Sequence, residues 1–180
     1  NSANGLSCPA NDTTVCGTIA IGTSAGANFP ASAAYGNTAV GYQALMGSGS
    51  TTTGATKNVA VGYQTMAAVT TANSNTIMGY QAGDGVTSGN RNVMIGQGAG
   101  GTFTTSSDNT VVGNGACASA STQTAPCTAI GGSSLSTATG THNTGTGLNS
   151  GQFVSTGTEN SAFGFAAMQG ITGTRITGTG

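Results

Sequence analysis

The segment Asn37-Thr38-Ala39-Val40-Gly41 decides the fold, because variants of it recur along the whole chain. Aligned on the final glycine, the copies follow one another at spacings of 16 to 21 residues, most often 17. The nine aligned glycines are Gly22, Gly41, Gly62, Gly79, Gly96, Gly113, Gly131, Gly147 and Gly164. A unit that repeats at a near-constant period is the sequence pattern of a solenoid, in which each repeat buries its apolar side against its neighbours.

Two columns of this alignment predict short strands, because side chains in a strand alternate between two faces. The residue before the glycine is large and apolar in eight of nine copies, so we expect this column to form the core. Its members are Ile21, Val40, Val61, Met78, Ile95, Val112, Ile130, Thr146 and Phe163. The residue two before the glycine is small or apolar, and we expect it to be buried against another copy of the chain. That column holds Ala20, Ala39, Ala60, Ile77, Met94, Val111, Ala129, Gly145 and Ala162.

Three further columns predict stacking of like residues. The glycine suits a bend with positive φ or a close backbone approach. Asparagine stands four residues before it in seven copies, where its amide can form a ladder from coil to coil. These residues are Asn37, Asn58, Asn75, Asn92, Asn109, Asn143 and Asn160. After the glycine, Tyr42, Tyr63 and Tyr80 are each followed by a glutamine, and cross-coil stacking explains this pattern better than a ligand site.

Weaker polar segments between the copies predict a second strand in each coil, at residues 69–71, 86–88, 103–105, 153–155 and 171–172. The chain is therefore predicted to be an all-β parallel β-solenoid, a β-roll of about nine coils. With rungs about 4.8 Å apart it would form a rod about 43 Å long. We divide it into an N-terminal segment 1–17, the repeats 18–170 and a partial coil 171–180. Because 171–180 carries no charged cap, we expect coils to stack end to end.

The composition excludes several classes of function. The 180 residues include only 3 Lys and Arg and 4 Asp and Glu, whereas about a quarter of a typical domain is charged. Nucleic-acid binding and electrostatic membrane binding therefore lack their driving force. No apolar run is long enough for membrane insertion. Regularly placed hydrophobic residues, 36% of the chain, argue against a disordered Ser/Thr/Gly tract.

The residues that commonly carry catalysis are few and separated in sequence. His142, the only histidine, is predicted to be an exposed turn residue. The segment 96–101 matches G-x-G-x-x-G but lacks the following helix and acidic residue of a dinucleotide site. We therefore predict no enzyme, no cofactor and no metal site. The cations Lys57, Arg91 and Arg175 are expected to be isolated surface residues, and the carboxylates Asp12, Asp84, Asp108 and Glu159 to be scattered.

The cysteines indicate disulfides, because none forms the C-x-x-C pattern of zinc or redox sites. Among three possible connectivities we favour Cys8 with Cys16 and Cys117 with Cys127, since short loops are the easiest to close. Disulfides imply an extracellular location, or the surface of a cell or virion. The segment 118–126 interrupts the repeat and is either a protruding binding loop or a tolerated insertion.

The unit Asn37-Thr-Ala-Val-Gly-Tyr-Gln-Ala-Leu45 resembles the repeats of trimeric autotransporter adhesin heads. It is equally similar to the repeat regions of phage and bacterial tail fibres that carry a self-cleaving chaperone. The resemblance covers about residues 18–168 and implies a left-handed parallel β-roll that is commonly trimeric, surface-exposed and involved in attachment. This sequence lacks the coiled-coil heptads, anchor barrel and chaperone of those families, and it contains cysteines that such heads usually lack.

Together these features predict an extracellular structural fibre or filament subunit that self-assembles by solenoid stacking into a homo-oligomer, either a trimer or a polymer. An alternative function is an adhesin or tail-fibre head that binds a host surface or glycan. A third is an ice-binding solenoid, suggested by Thr-x-Thr pairs such as Thr137/Thr139, although the pairs do not repeat in register in every coil.

Overall fold

The computed structural model describes residues 18–28, 35–49, 54–119, 126–154, 156–170 and 172–180. These residues form ten parallel strands in a single sheet, and the order of the strands in the sheet follows their order in the chain. The predicted all-β parallel solenoid is thereby confirmed. The strands are β1 (Ile19–Ile21), β2 (Thr38–Val40), β3 (Val59–Val61), β4 (Thr76–Met78), β5 (Val93–Ile95), β6 (Thr110–Val112), β7 (Thr128–Ile130), β8 (Thr144–Thr146), β9 (Ser161–Phe163) and β10 (Thr177–Thr179). Within the described ranges there is no helix that could cross a bilayer.

The tenth strand was missed by the nine-copy alignment. β10 pairs in parallel with β9, with Thr177 opposite Ser161 and Thr179 opposite Phe163. Its unit ends at Gly180 like the others, but Ile176 stands where other copies have asparagine. This copy has neither the asparagine four residues before the glycine nor a large apolar residue directly before it, where Thr179 stands. It therefore does not match the columns of the alignment.

The interior of the coil is lined by the column that we expected to face a partner. Its strand residues are almost completely inaccessible to solvent: Ala39, Ala60, Ile77, Met94, Val111, Ala129 and Ala162. The large apolar column faces outward instead, with Ile21 55% and Ile130 42% exposed. The prediction of which strand face is the core was therefore wrong.

The small strand column faces inward because the turns supply most of the side-chain volume in the interior of the coil. Side chains from the turns fill the space opposite the strands, so only small or compensated residues fit on the inward strand face. The buried residues from the turns include Leu45, Met66, Val69, Val86, Phe103, Leu135 and Val154.

The predicted second strand is absent from the described residues. Segments 69–71, 86–88 and 103–105 are turns and irregular backbone. Their backbone amides and carbonyls nevertheless form hydrogen bonds between neighbouring coils. The amide of Thr70 donates to the carbonyl of Thr87 at 2.8 Å, and the amide of Thr87 donates to the carbonyl of Thr104 at 2.9 Å. Stacked turns therefore close the side of the coil opposite the sheet.

The asparagine ladder is confirmed and it is buried. The Oδ1 atom of Asn75 accepts bonds from the backbone amide of Asn92 at 2.9 Å and from its Nδ2 at 3.0 Å. The same Nδ2 donates to the carbonyl of Ser106 at 2.9 Å. Because each buried side chain has its polar atoms paired, the ladder links coils without the cost of an unsatisfied amide.

The glycine column is confirmed as a place of close backbone approach. Gly96 has φ of 131°, and a Cβ built on it would lie 2.5 Å from the carbonyl oxygen of Gly113. The same relationship holds from coil to coil along the column. A side chain at this position would therefore separate neighbouring coils.

Candidate functional site: the outer face of the sheet

The outer face is the surface formed by the outward side chains of β1 to β10, together with the column of residues that borders it on each side. The first residue of each strand forms the first strand column of this face. In β2 to β9 these residues are mainly β-branched and half-buried, as are Thr38, Val59 and Thr76. Its second strand column is the large apolar one, in which Met78, Ile95 and Phe163 are exposed. Successive rungs of a sheet lie about 4.8 Å apart, so the uninterrupted apolar part of this column, from β1 to β7, extends about 29 Å.

One border of the outer face carries the tyrosines. The rings of Tyr42 and Tyr63 stack with centroids 5.2 Å apart, and those of Tyr63 and Tyr80 at 5.1 Å. The predicted stacking of like residues is confirmed. Both faces of the Tyr63 ring are covered by its neighbours, so this ring cannot stack against a sugar or a base.

A glutamine ladder lies beside the tyrosines. The Nε2 of Gln64 donates to the Oε1 of Gln43 at 2.8 Å, and the Nε2 of Gln81 donates to the Oε1 of Gln64 at 3.1 Å. These amides point along the stack and bond to one another. Like the buried asparagines, they stabilise this edge of the rod by hydrogen bonds between the side-chain amides of neighbouring coils.

The opposite border of the outer face carries the charges, and here the sequence interpretation was wrong. Every Lys, Arg, Asp and Glu in the described ranges except Asp84, and also the histidine, stands in the position just before the ladder asparagine or its replacement. This charged column contains Lys57, Arg91, Asp108, His142, Glu159 and Arg175. The stacking of coils brings together residues that are 16 or 17 apart in sequence, so Arg91 and Arg175 are not isolated.

Two ion pairs join neighbouring coils within the charged column. Arg91 donates through Nε to Oδ1 of Asp108 at 2.6 Å and through a terminal nitrogen to Oδ2 at 2.8 Å. Arg175 pairs with Glu159 in the same manner through Nε. The hydrogen bond from the guanidinium holds the pKa of each carboxyl below its ordinary value. Both pairs are exposed, so their contribution to stability is small.

His142 is exposed, as predicted, and its Nδ1 lies 3.2 Å from the hydroxyl of Thr141. Its positive form helps to lower the pKa of Glu159, which follows it in the charged column. No group of three or more potential metal-ligating side chains occurs in the part of the chain that the structure describes. The glycine-rich segment 96–101 follows β5 as a turn, without a helix.

The cysteines fall in two regions. Cys8 and Cys16 lie outside the described residues, so their pairing stays a prediction. Cys117 and Cys127 are both buried and unbonded, with their sulfur atoms 3.5 Å apart. The structure thus brings together the second predicted pair. The candidate binding loop between them lies mostly outside the described residues.

A shallow depression of about 340 Å³ lies beside the turns of the second and third coils. Its lining includes Met46, Gln64, Ala68 and Asp84. Desolvation raises the pKa of the Asp84 carboxyl, against the effect of backbone hydrogen bonds that lower it. With a single ionisable group and no convergent donors, this depression offers little chemistry.

No family model, curated protein or solved structure matches the chain. The geometry of the outer face is therefore the main indication of what this chain does.

Proposed function

We propose that this chain is a rigid structural segment of an extracellular fibre, and that it associates side by side with copies of itself through the outer face. The observation that supports this most strongly is the second strand column, which is apolar from β1 to β7 and again in β9. Its exposed members are Ile21, Met78, Ile95, Ile130 and Phe163. Soluble monomers rarely expose contiguous apolar patches larger than about a few hundred Å², and larger patches commonly mark an interaction site.

A second copy of the chain is the occupant that fits this surface best. The outer face is a periodic array whose rows repeat every rung, and another copy presents the same repeat distance along its whole length. Rows of side chains can therefore interdigitate over many coils without losing register. A partner without this period would match only a few rows.

The distribution of side chains favours parallel, in-register packing. Large apolar residues fill the second strand column from β1 to β7, whereas β8 and β10 have Thr146 and Thr179 there. Parallel copies would set apolar rows against apolar rows and threonine rows against threonine rows. Antiparallel copies would set Ile21 against the threonine end.

The charged column also fits parallel, in-register packing, because it would form a polar rim beside the apolar contact. Protein interfaces commonly have an apolar centre bordered by polar groups that remain in contact with water. Here the charges lie along one border of the outer face and the tyrosines along the other. In this proposal the rim disfavours misaligned packing and the apolar rows provide the affinity.

The resemblance of the repeat to adhesin heads and tail fibres supports a place in an attachment structure, with the rod acting as a spacer. In this proposal the role of the solenoid is mechanical, because inter-coil hydrogen bonds in the sheet, the turns and the asparagine ladder all run along the rod. End-to-end stacking of coils would lengthen it further.

Sedimentation of purified full-length protein over a range of concentrations tests the proposal. The test variant replaces Met78, Ile95 and Val112 by threonine, the residue that the same column has in β8 and β10. The control, Phe153→Thr, removes an exposed aromatic side chain from a turn. We expect the wild type and control to form a defined oligomer and the triple variant to dissociate at least about tenfold more readily, a loss of about 1.4 kcal/mol.

Circular dichroism and thermal unfolding establish that the triple variant remains folded. A wild type that stays monomeric at every concentration contradicts the proposal. So does a folded triple variant that associates as tightly as the wild type. Electron microscopy of the wild type then separates lateral bundles from filaments stacked end to end.

A further inference from the structure

The strongest unassigned chemistry in the described residues is the buried pair Cys117 and Cys127. Cys117 is completely buried and Cys127 is 3% exposed. Their sulfur atoms are 3.5 Å apart inside the coil. The two thiols are not joined by a disulfide in this structure, but they face each other in the buried interior.

Both cysteines are held in place by the backbones of neighbouring coils. The amide of Cys117 donates to the carbonyl of Ser134 at 3.0 Å. The amide of Cys127 donates to Oδ1 of Asn109 at 3.0 Å, and its carbonyl accepts from the amide of Thr110 at 3.0 Å. The coil that begins after β6 and ends before β7 therefore has its two ends fixed with the thiols facing each other.

Each cysteine replaces a residue type that the other coils use for cohesion. Cys117 stands four residues after the column glycine, where other coils place Leu45, Met66 or Leu135. Cys127 stands in the asparagine column, and it has no side-chain amide to donate to Asn109. At this rung the ladder loses its side-chain link to Asn109, and a bond to Cys117 would instead tie Cys127 to the turn that follows β6.

A small-molecule disulfide can oxidise this pair, and the atoms and electrons of the reaction then balance. One thiol loses its proton and attacks the small disulfide, which releases one small thiol and leaves a mixed disulfide. The second cysteine then attacks the mixed disulfide, forms the bond between Cys117 and Cys127 and releases the second small thiol. Two electrons and two protons pass from the protein to the oxidant.

The folded coil is a poor place for either step. A hydrogen bond to Cys127 and then burial raise the pKa of the Cys117 thiol well above its ordinary value, so little thiolate forms. Burial of both cysteines also keeps a small disulfide from reaching the sulfur atoms. Reaction therefore requires that the thiols become exposed, as in the folding chain.

We propose that Cys117 and Cys127 are a modification site that is oxidised to a disulfide during folding, before the two thiols become buried, and that their burial then protects the bond from reducing agents. The inference does not depend on self-association, because it concerns a single coil of one chain.

The test compares two samples of the full chain. In the first, reduced and denatured protein refolds in a mixture of reduced and oxidised glutathione. In the second, the protein refolds without oxidant and then receives the same mixture. Both are sampled over time, denatured, labelled with N-ethylmaleimide and digested with trypsin. Cleavage after Arg91 and Arg175 gives a peptide 92–175 that contains Cys117 and Cys127 but neither Cys8 nor Cys16.

We expect the peptide from the first sample to carry no label. In the second sample we expect two labels to persist, with oxidation at least about tenfold slower because the thiols must become exposed first. Once formed, the bond should resist dithiothreitol until denaturant is added. The control Cys127→Asn restores the ladder residue and has no second thiol to resolve a mixed disulfide, so its Cys117 should carry either the label or glutathione and never an internal bond of this peptide.

Two labels on the wild-type peptide after oxidative refolding would overturn the proposal. Equal oxidation rates in the two samples would also overturn it, because the bond would then form as readily after the thiols are buried. Since labelling follows denaturation, the readout is valid for any variant, including one that folds poorly.

Discussion

Ile77 and Gly83 share one space in the interior: a Cβ on Gly83 would lie 2.8 Å from the Cδ1 of Ile77. The two positions are six residues apart in every coil, one on the strand and one in the turn. In six coils a large strand residue faces glycine in the turn, or alanine on the strand faces a large turn residue, whereas Ala20 with Gly26, Val111 with Cys117 and Gly145 with Gly151 do not follow this pattern. The six pairs that follow it are Ala39 with Leu45, Ala60 with Met66, Ile77 with Gly83, Met94 with Gly100, Ala129 with Leu135 and Ala162 with Met168.

This compensation predicts strong coupling between Ile77 and Gly83. Ile77→Ala alone should lower the free energy of unfolding by about 3 kcal/mol through the cavity that it leaves. Gly83→Leu alone should destabilise by overpacking. The double variant recreates the Ala39/Leu45 arrangement, and Leu45 has φ of 50°, close to the 53° of Gly83. It should therefore recover most of the loss.

Guanidinium unfolding of the four proteins gives the coupling energy of a double-mutant cycle. A double variant as unstable as the sum of the single changes would show that the two positions do not share this space.

The glycine column predicts a second contrast, between Gly96 and Gly98. Gly96→Ala should destabilise by more than about 3 kcal/mol, because its Cβ would meet the carbonyl oxygen of Gly113 at 2.5 Å. Gly98 has φ of 62° and nothing within 4 Å of a built Cβ. Gly98→Ala should cost only about 1 kcal/mol, the ordinary penalty of the left-handed region. Equal thermal-unfolding shifts for the two variants would contradict the close-approach argument.

The asparagine ladder predicts that Asn92→Ala is severely destabilising. The change leaves the backbone amide of Asn109 without its bond to Oδ1 of Asn92, and leaves the carbonyl of Ser106 without a donor. We expect a loss of about 2 to 4 kcal/mol in chemical unfolding. Asn114→Ala is the control, since this asparagine is exposed and its Nδ2 makes one bond to Gln97 at 3.2 Å. It should change stability little.

The ion pair between Arg91 and Asp108 predicts a specific pH response. The guanidinium lowers the pKa of Asp108 below its ordinary 3.8. The contribution of the pair is therefore fully present above that ordinary value and is lost as the pH falls through the lowered pKa. Arg91→Gln should raise the pKa of Asp108, and NMR titration of the carboxyl would measure the change. An unchanged pKa would show that the pair does not persist in solution.

Much of the fold could be predicted from the sequence because the repeat is regular. The strand positions, the parallel stacking, the Asn75–Asn92 type of ladder and the Tyr42–Tyr63–Tyr80 stack all follow from columns of like residues at a near-constant spacing. The charged column was missed although its signal was present, since Arg91 and Asp108 each precede a ladder asparagine. The charges were considered as separate residues and not as members of one column.

The sequence by itself determined that this chain forms stacked coils and which residues lie above one another, because a fixed period leaves one self-consistent register. Only the tertiary structure decided which strand face is the interior. Alternation divides Ile77 and Met78 between two faces, but both are large and apolar, so hydrophobicity does not rank them. The choice depends on how much space the turns occupy inside the coil. Side chains such as Leu45 and Phe103 fill that space, leaving the small column inward and the large apolar column outward on the face that we propose for self-association.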